Sequence, residues 1–120
     1  MSRNSVTQSH PGPNPDALRV LVVDDRRDAS FPVRRLLELD GHQVQVAADG
    51  PSGVELARQF KPELVLCDLN LPGELTGYDV ARALRGDPVM CSVYLVAVTG
   101  YSGEDEREEA AQAGFQRHLT

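Results

Sequence analysis

The feature that most constrains the fold is a short, fully apolar run that ends in an acid. Residues 64–67 read Leu-Val-Leu-Cys, Asp68 follows at once, and Pro72 lies just beyond. Four successive apolar residues are typical of a strand buried on both faces, as in a parallel sheet. A carboxylate at the carboxyl end of such a strand points into the crevice where open α/β sheets bind ligands. Asp68 is therefore the first candidate for chemistry.

The order of segments predicts a parallel sheet with helices on both of its faces. Five strand-like segments alternate with four helical ones, which is the pattern of consecutive βα units. Residues 43–46 alternate polar with apolar, as in an edge strand with one wet face, and residues 115–120 are mostly polar. These two segments fit the edges of strand order 2-1-3-4-5. We therefore predict a flavodoxin-like, doubly wound α/β fold.

The predicted helices begin at capping or turn residues. In the first helix we expect Ser30 to cap the N-terminus and Pro32 to lie in the first turn. Its inward face is expected to carry Val33, Leu36 and Leu37. The fourth helix, residues 104–113, is strongly acidic and is expected to begin with a capping box of Ser102 and Asp105.

Three carboxylates are expected to meet at one edge of the sheet. A second apolar run, residues 20–23, ends in Asp24 and Asp25, and strand order 2-1-3-4-5 places it beside the strand that ends in Asp68. Like charges held close oppose each other's ionisation, and a hard divalent cation relieves this at neutral pH. Mg²⁺ is usually bound by one or two carboxylates together with phosphate oxygens, which fits this set of residues. Asp68 could then attack phosphorus, while Thr99 donates its hydroxyl to a phosphoryl oxygen.

Composition narrows the class of protein further. The 120 residues suit one domain, in which residues 1–16 form a flexible tail and residues 17–120 the folded part. The net charge of -6 argues against a direct nucleic-acid surface. No run approaches the ~20 apolar residues of a membrane span, and no signal-peptide h-region is present, so the cytoplasm is the expected location. Cys67 and Cys91 have neither metal-ligand nor disulfide spacing.

The segments around these acids resemble the receiver domain of two-component response regulators and hybrid histidine kinases. The resemblance covers about residues 18–120 and rests on four segments, residues 20–25, 64–73, 96–101 and 113–115. It implies that Asp68 is the phosphoacceptor, which takes a phosphoryl group from a phosphohistidine of a partner kinase or phosphotransfer protein. It also implies that Asp24 and Asp25 hold Mg²⁺ together with Asp68 and the backbone carbonyl of Asn70.

The same resemblance implies how the phosphoryl group is sensed. Thr99 matches the family's hydroxyl residue that turns toward the phosphoryl group. His118 falls where the family usually places a rotating Tyr or Phe, and the alternative is a surface residue on an edge strand. The domain is expected to be a signalling switch rather than an enzyme, with only self-phosphorylation and dephosphorylation chemistry. The fourth helix and fifth strand form the face expected to move.

The sequence departs from the family pattern near its end and in one loop. The family's Lys has no counterpart, because the sequence stops at Thr120 before the usual Lys-Pro and fifth helix. We expect a fragment of a longer protein, with an exposed apolar sheet face that favours dimerisation. Either Arg26 or Arg27 could supply the missing positive charge. The loop of residues 73–77 is one residue longer than usual, with Thr76 where Asp is common.

Other classes of function are weaker but distinct. A phosphorylation-independent interaction module would explain the absent Lys, although a scaffold would not need repelling carboxylates together, and a metal titration separates the two. A metal-dependent phosphatase with an aspartyl intermediate would need Asp-x-Asp after the first strand, which residues 24–26 do not provide. A dinucleotide site would need a glycine loop, which is absent there.

Overall fold

Five parallel strands form one sheet in the order β2-β1-β3-β4-β5. The structure is a computed structural model that describes residues 15–100 and 103–120, so nearly all of the predicted tail lies outside the described residues. The strands are β1 (Arg19–Val23), β2 (Gln43–Ala47), β3 (Leu64–Asp68), β4 (Tyr94–Val98) and β5 (Arg117–Leu119). The helices are α1 (Arg27–Leu39), α2 (Gly50–Phe60), α3 (Gly77–Arg85) and α4 (Glu104–Ala113). The predicted fold class and strand order are confirmed.

Alternate residues of the strands enter two separate apolar layers. On one face the strands pack against α2, α3 and α4 around a large core in which Leu21, Val65, Leu84 and Leu95 are completely buried. On the other face the cluster is small and includes Leu37 of α1. No other described helix contributes to that second cluster. The described part of the chain therefore has one thick core and one thinly covered sheet face.

Helix α1 begins earlier than the sequence predicts. Its first residue is Arg27, so Ser30 is buried inside the helix rather than capping it, and Pro32 lies in the second turn. Proline there removes one backbone hydrogen bond, which a helix of 13 residues tolerates. The expected inward positions of Val33 and Leu36 are wrong, since these residues are 36% and 67% exposed and only Leu37 is half-buried.

The caps of the other helices agree only in part with the sequence patterns. Asp49 caps α2, with its Oδ1 accepting from the Ser52 N–H at 2.8 Å. Helix α4 starts after Gly103, whose N–H donates to the Glu106 carboxylate at 2.9 Å. The cap is therefore one residue later than the predicted Ser102–Asp105 box, and Ser102 itself lies outside the described residues.

Arg85, the last residue of α3, joins that helix to the start of β4 and to the turn between α4 and β5. Its guanidinium donates to the Val93 carbonyl just before β4 at 2.7 Å. It also donates to the Gly114 carbonyl, in the turn between α4 and β5, at 2.7 and 3.0 Å. These charge-assisted bonds fix the end of α4 where β5 begins.

The thinly covered sheet face exposes several large apolar side chains. Tyr94 of β4 and Leu119 of β5 are exposed, and they line an open groove on this face together with Leu18, Leu64 and Val96. The apolar patch that the sequence predicts is therefore present in the described residues, whereas dimerisation through it stays a prediction. Among the described residues, no helix is long and apolar enough to cross a membrane.

Candidate functional site

Three neighbouring strands bring their functional residues to one edge of the sheet. In the register of the sheet Val23 lies opposite Cys67, and Asp68 lies opposite Val98. Asp24 follows β1 directly, Asp68 ends β3 and Thr99 follows β4. Their side chains lie at the carboxyl edge where doubly wound sheets bind ligands. The parallel register therefore brings Asp24, Asp68 and Thr99 together, as the strand order predicts.

The carboxylates form a tight cluster. Asp24, Asp25 and Asp68 each offer an oxygen within 4.8 Å of the oxygens of the other two. Asp24 and Asp68 are only 8% and 5% exposed, whereas Asp25 is exposed to solvent. The Asp24 N–H donates to the Ala47 carbonyl of β2 at 2.9 Å, which fixes this residue beside the sheet. Two of the acids are thus held rigidly, and the third stands at the mouth of the site.

Asp68 is buried in surroundings that favour its neutral form. Burial raises the pKa of the Asp68 carboxyl, and the nearby Asp24 carboxylate raises that pKa further. The Asn70 N–H, which donates to Asp68 Oδ1 at 3.1 Å, and the Arg26 guanidinium act in the opposite direction. A cation close to Asp68 would lower this pKa again, because it stabilises the ionised, nucleophilic carboxylate.

Arg26 supplies a positive charge inside the cluster. Its Nε and Nη2 donate to the two carboxylate oxygens of Asp24, each at 3.1 Å, and its backbone N–H donates to Asp24 Oδ1 at 2.9 Å. Nη2 also lies 3.7 Å from Asp68 Oδ2. Of the two arginines that the sequence offers as sources of positive charge, Arg26 is the one placed at Asp68. Arg27 lines a different groove, which Asp24, Asp25 and Phe31 also line.

The acids open onto a cleft of about 400 Å³ that also holds Asn70, Thr99 and Gly100. Thr99 is only 3% exposed, and its N–H donates to the Leu119 carbonyl of β5 at 3.1 Å. The groups in this cleft that could bind a metal are oxygens from carboxylates, a hydroxyl and backbone carbonyls, and the Arg26 guanidinium also lines it. Such donors fit a hard cation such as Mg²⁺ and leave room for the oxygens of a phosphoryl group. Coordination by the Asn70 carbonyl stays a prediction.

His118 lies away from this cleft. It pairs with Ala97 across β4 and β5, is half-buried, and lines a small cavity beside Arg107 and Phe115. Both ring nitrogens are buried, and no described residue forms a hydrogen bond with either of them. This differs from a solvated side chain on an edge strand. Its role as the rotating switch residue stays a prediction.

The loop after β3 contains a helix cap that the sequence reading missed. Thr76 caps the N-terminus of α3. Its hydroxyl accepts from the Asp79 N–H at 3.3 Å, and the Asp79 carboxylate accepts from the Thr76 N–H at 3.0 Å. The Thr-x-x-Asp pattern was the available signal. The Gly77 N–H donates to the Leu69 carbonyl at 3.1 Å, which joins the start of α3 to the end of β3.

Cys67 is adjacent to Asp68 but is not a second nucleophile. Its side chain is completely buried, and burial together with the neighbouring carboxylates strongly raises the pKa of its thiol. Cys91 is exposed, and neither cysteine is in a disulfide. This placement agrees with the position of Cys67 in the apolar run of residues 64–67.

The protein is a doubly wound α/β protein. It has a buried acid at the end of its third strand and a cleft at the carboxyl edge of its sheet. The family model of the response regulator receiver domain matches residues 20–120. The chain therefore belongs to the response regulator receiver domain family. Protein PilH of Pseudomonas aeruginosa is 36% identical over 102 residues, which cover 85% of this chain and 84% of PilH.

Solved structures show the same fold. Chemotaxis protein CheY4 of Vibrio cholerae superimposes with a TM-score of 0.82 at 24% identity, covering 87% of this chain and 86% of CheY4. The receiver domain of sensor histidine kinase PA1611 of Pseudomonas aeruginosa gives a TM-score of 0.78 at 28% identity, covering 87% of this chain and 84% of that one. That structure is described as having a magnesium ion coordinated in the active site cleft.

Replacing Asp68 with Asn is expected to stabilise the metal-free fold by about 1 kcal/mol at neutral pH. Because its pKa is raised, folded Asp68 keeps its proton to a higher pH than unfolded Asp68. The folded protein then binds more protons between the ordinary carboxyl pKa and the raised one, so this group's contribution to stability falls as pH rises through that window. Urea unfolding in EDTA at several pH values measures this. The gain should vanish below the ordinary carboxyl pKa, and an equal gain at every pH would contradict the explanation.

Proposed function

We propose that Asp68 accepts a phosphoryl group from a phosphohistidine on a histidine kinase or histidine phosphotransfer protein. An Asp68 carboxylate oxygen attacks phosphorus, the P–N bond breaks with its electron pair passing to the imidazole, and the imidazole takes a proton from solvent. The single observation that carries this proposal is the convergence of three carboxylates within 4.8 Å, two of them buried, at the carboxyl edge of the sheet. Family membership supports the same chemistry.

Asp24, Asp25 and Asp68, with the carbonyl of Asn70, are the residues that would hold Mg²⁺. The metal would supply positive charge that neutralises the carboxylates and screens the phosphoryl oxygens. A phosphoryl group adds roughly -1.5 to -2 charges, so further positive charge is needed nearby. Arg26 is already placed at Asp68 and can provide it. The magnesium ion described in the PA1611 receiver domain supports this metal.

Phosphorylation would be transmitted through Thr99 to the face formed by α4 and β5. The Thr99 hydroxyl is expected to donate to a phosphoryl oxygen, and the Thr99 backbone is already bonded to Leu119 of β5. Helix α4 buries only Ala110 and Ala113, so it has little apolar area to fix it in one position. We infer that this face, in a cytoplasmic signalling protein, presents different surfaces to its partner before and after phosphorylation.

Incubation with acetyl phosphate and Mg²⁺ is expected to add the mass of one phosphoryl group to the chain. The same reaction in EDTA should give no gain, because the carboxylate cluster then lacks the cation that offsets its negative charge and stabilises the phosphoryl oxygens. Intact-protein mass spectrometry under neutral conditions measures both reactions. An equal gain in EDTA would contradict the metal's role. No gain with acetyl phosphate, phosphoramidate or a phosphorylated kinase would favour the phosphorylation-independent interaction module.

A further inference from the structure

The guanidinium of Arg26 occupies the oxygens that a metal would need. It bonds to both oxygens of Asp24 at 3.1 Å and approaches Asp68 Oδ2 at 3.7 Å. Both carboxylates are almost completely buried, so their remaining free positions are few. A fork-shaped cation on two carboxylate oxygens is among the stronger polar contacts in proteins. Binding of a divalent cation to Asp24 and Asp68 must therefore displace or share this arginine.

We propose that Arg26 is a tethered counter-ion that competes with Mg²⁺ for Asp24 and Asp68 and so raises the Mg²⁺ concentration that the site requires. This inference rests on the proposed metal site. In the absence of metal, Arg26 neutralises part of the charge of the cluster. When metal binds, Arg26 has to give up at least one of its bonds to Asp24.

The backbone makes Arg26 an effective competitor. Its own N–H donates to Asp24 Oδ1 at 2.9 Å, and Arg26 is the residue that precedes α1, with its carbonyl accepting from the N–H groups of Ala29 and Ser30. The start of the side chain is thus fixed two residues from its target. A tethered group of this kind acts at a high effective concentration and loses little freedom when it binds.

The same residue can also leave the site. The Arg26 side chain is 46% exposed, in contrast to the two carboxylates, which are buried. Its guanidinium therefore has access to solvent on the side facing away from Asp24. Part of its charge is screened by water, so its competition should be moderate rather than absolute.

The test is the Mg²⁺ affinity of metal-free protein, measured by calorimetric titration with MgCl₂ alone. The chain has no Trp, so a heat signal is preferable to tryptophan fluorescence. Arg26→Ala is expected to lower the Mg²⁺ dissociation constant by about tenfold, the effect of losing one partly exposed counter-ion pair. Arg26→Lys keeps the charge but loses the planar fork. Its Mg²⁺ dissociation constant should lie between those of the wild type and Arg26→Ala.

Arg27→Ala is the matched control, because it removes the same charge one residue away. Arg27 is exposed, and its side chain forms no ion pair with a described residue. Its dissociation constant should change by less than about twofold. Equal tightening by Arg27→Ala, or no tightening by Arg26→Ala, would overturn the proposal while leaving the metal site intact. If none of the four proteins binds Mg²⁺, although circular dichroism shows each to be folded, the proposed metal site fails and the competition with it.

Discussion

Replacing Asp68 with Asn is expected to abolish phosphoryl uptake from acetyl phosphate and from a partner phosphohistidine. The amide oxygen of Asn is not a nucleophile toward phosphorus, and the substitution also removes one of the three carboxylates of the metal cluster. The side chain is nearly the same size, and its oxygen can still accept from the Asn70 N–H, so the fold should persist. Mass spectrometry of the intact chain should show no phosphorylated species under conditions in which the wild type is modified.

Glu104→Gln is the matched control for this loss, because it removes one negative charge from an exposed residue of α4. Its uptake should equal that of the wild type. The phosphorylated wild type should also lose its added mass after treatment with hydroxylamine, which cleaves acyl phosphates. An undiminished mass gain in the Asp68→Asn protein would place the acceptor elsewhere and defeat the proposed function. Peptide mapping of that modified protein would then locate the true acceptor.

The elements of the fold that could be predicted are those with a strong local pattern. The apolar run that ends at Asp68 became β3, and the alternating segment of residues 43–46 became part of edge strand β2. In strand order 2-1-3-4-5, β3 lies between β1 and β4. The parallel register therefore places Asp24, which follows β1, and Thr99, which follows β4, beside Asp68. The predicted cluster therefore required only strand identities and strand order, which periodicity supplies well.

Helix boundaries were less predictable, because they depend on competition between several weak signals. Ser30 is a good capping residue, yet α1 begins at Arg27, where Asp28 in the first turn complements the helix dipole. Leu36 fits an inward helical spacing, but the thin layer on that sheet face buries Leu37 only in part and leaves Leu36 in solvent. Periodicity identifies an apolar stripe and does not establish that a partner covers it.

The geometry of Arg26 was also outside what the sequence could establish. The sequence does not distinguish Arg26 from Arg27, because both are arginines that follow Asp25 closely. The direction of each side chain depends on where α1 starts. Because the helix begins at Arg27, Arg26 keeps an extended backbone with φ -94° and ψ 105°, and its side chain turns back to Asp24. The entry of Arg26 into the site therefore goes together with its position as the residue before the helix.

Replacing Gly77 with Ala is expected to destabilise the fold by about 2–4 kcal/mol and to weaken phosphoryl uptake. A Cβ at this position would collide with the Asp68 carbonyl oxygen and would stand 2.7 Å from the Leu69 Cα. Both obstacles are backbone atoms at the end of β3, so neither can rotate away as a side chain would. Either α3 or the end of β3 must shift, and the second choice moves the Asp68 carboxylate itself. Urea unfolding and the rate of mass gain with acetyl phosphate measure the two effects.

Gly86→Ala, at the other end of the same helix, separates this collision from a general effect of adding a methyl group. Gly86 has φ -83° and ψ -6°, which alanine adopts readily, and its added Cβ would lie 3.5 Å from the nearest atom, the Arg82 carbonyl oxygen. This substitution should change stability by less than about 1 kcal/mol, with a gain expected because alanine restricts the unfolded chain. Its phosphoryl uptake should match the wild type. If Gly77→Ala were as stable as Gly86→Ala, the start of α3 would have room to move away from β3. The close approach of that helix to Asp68 would then not be a requirement of the fold.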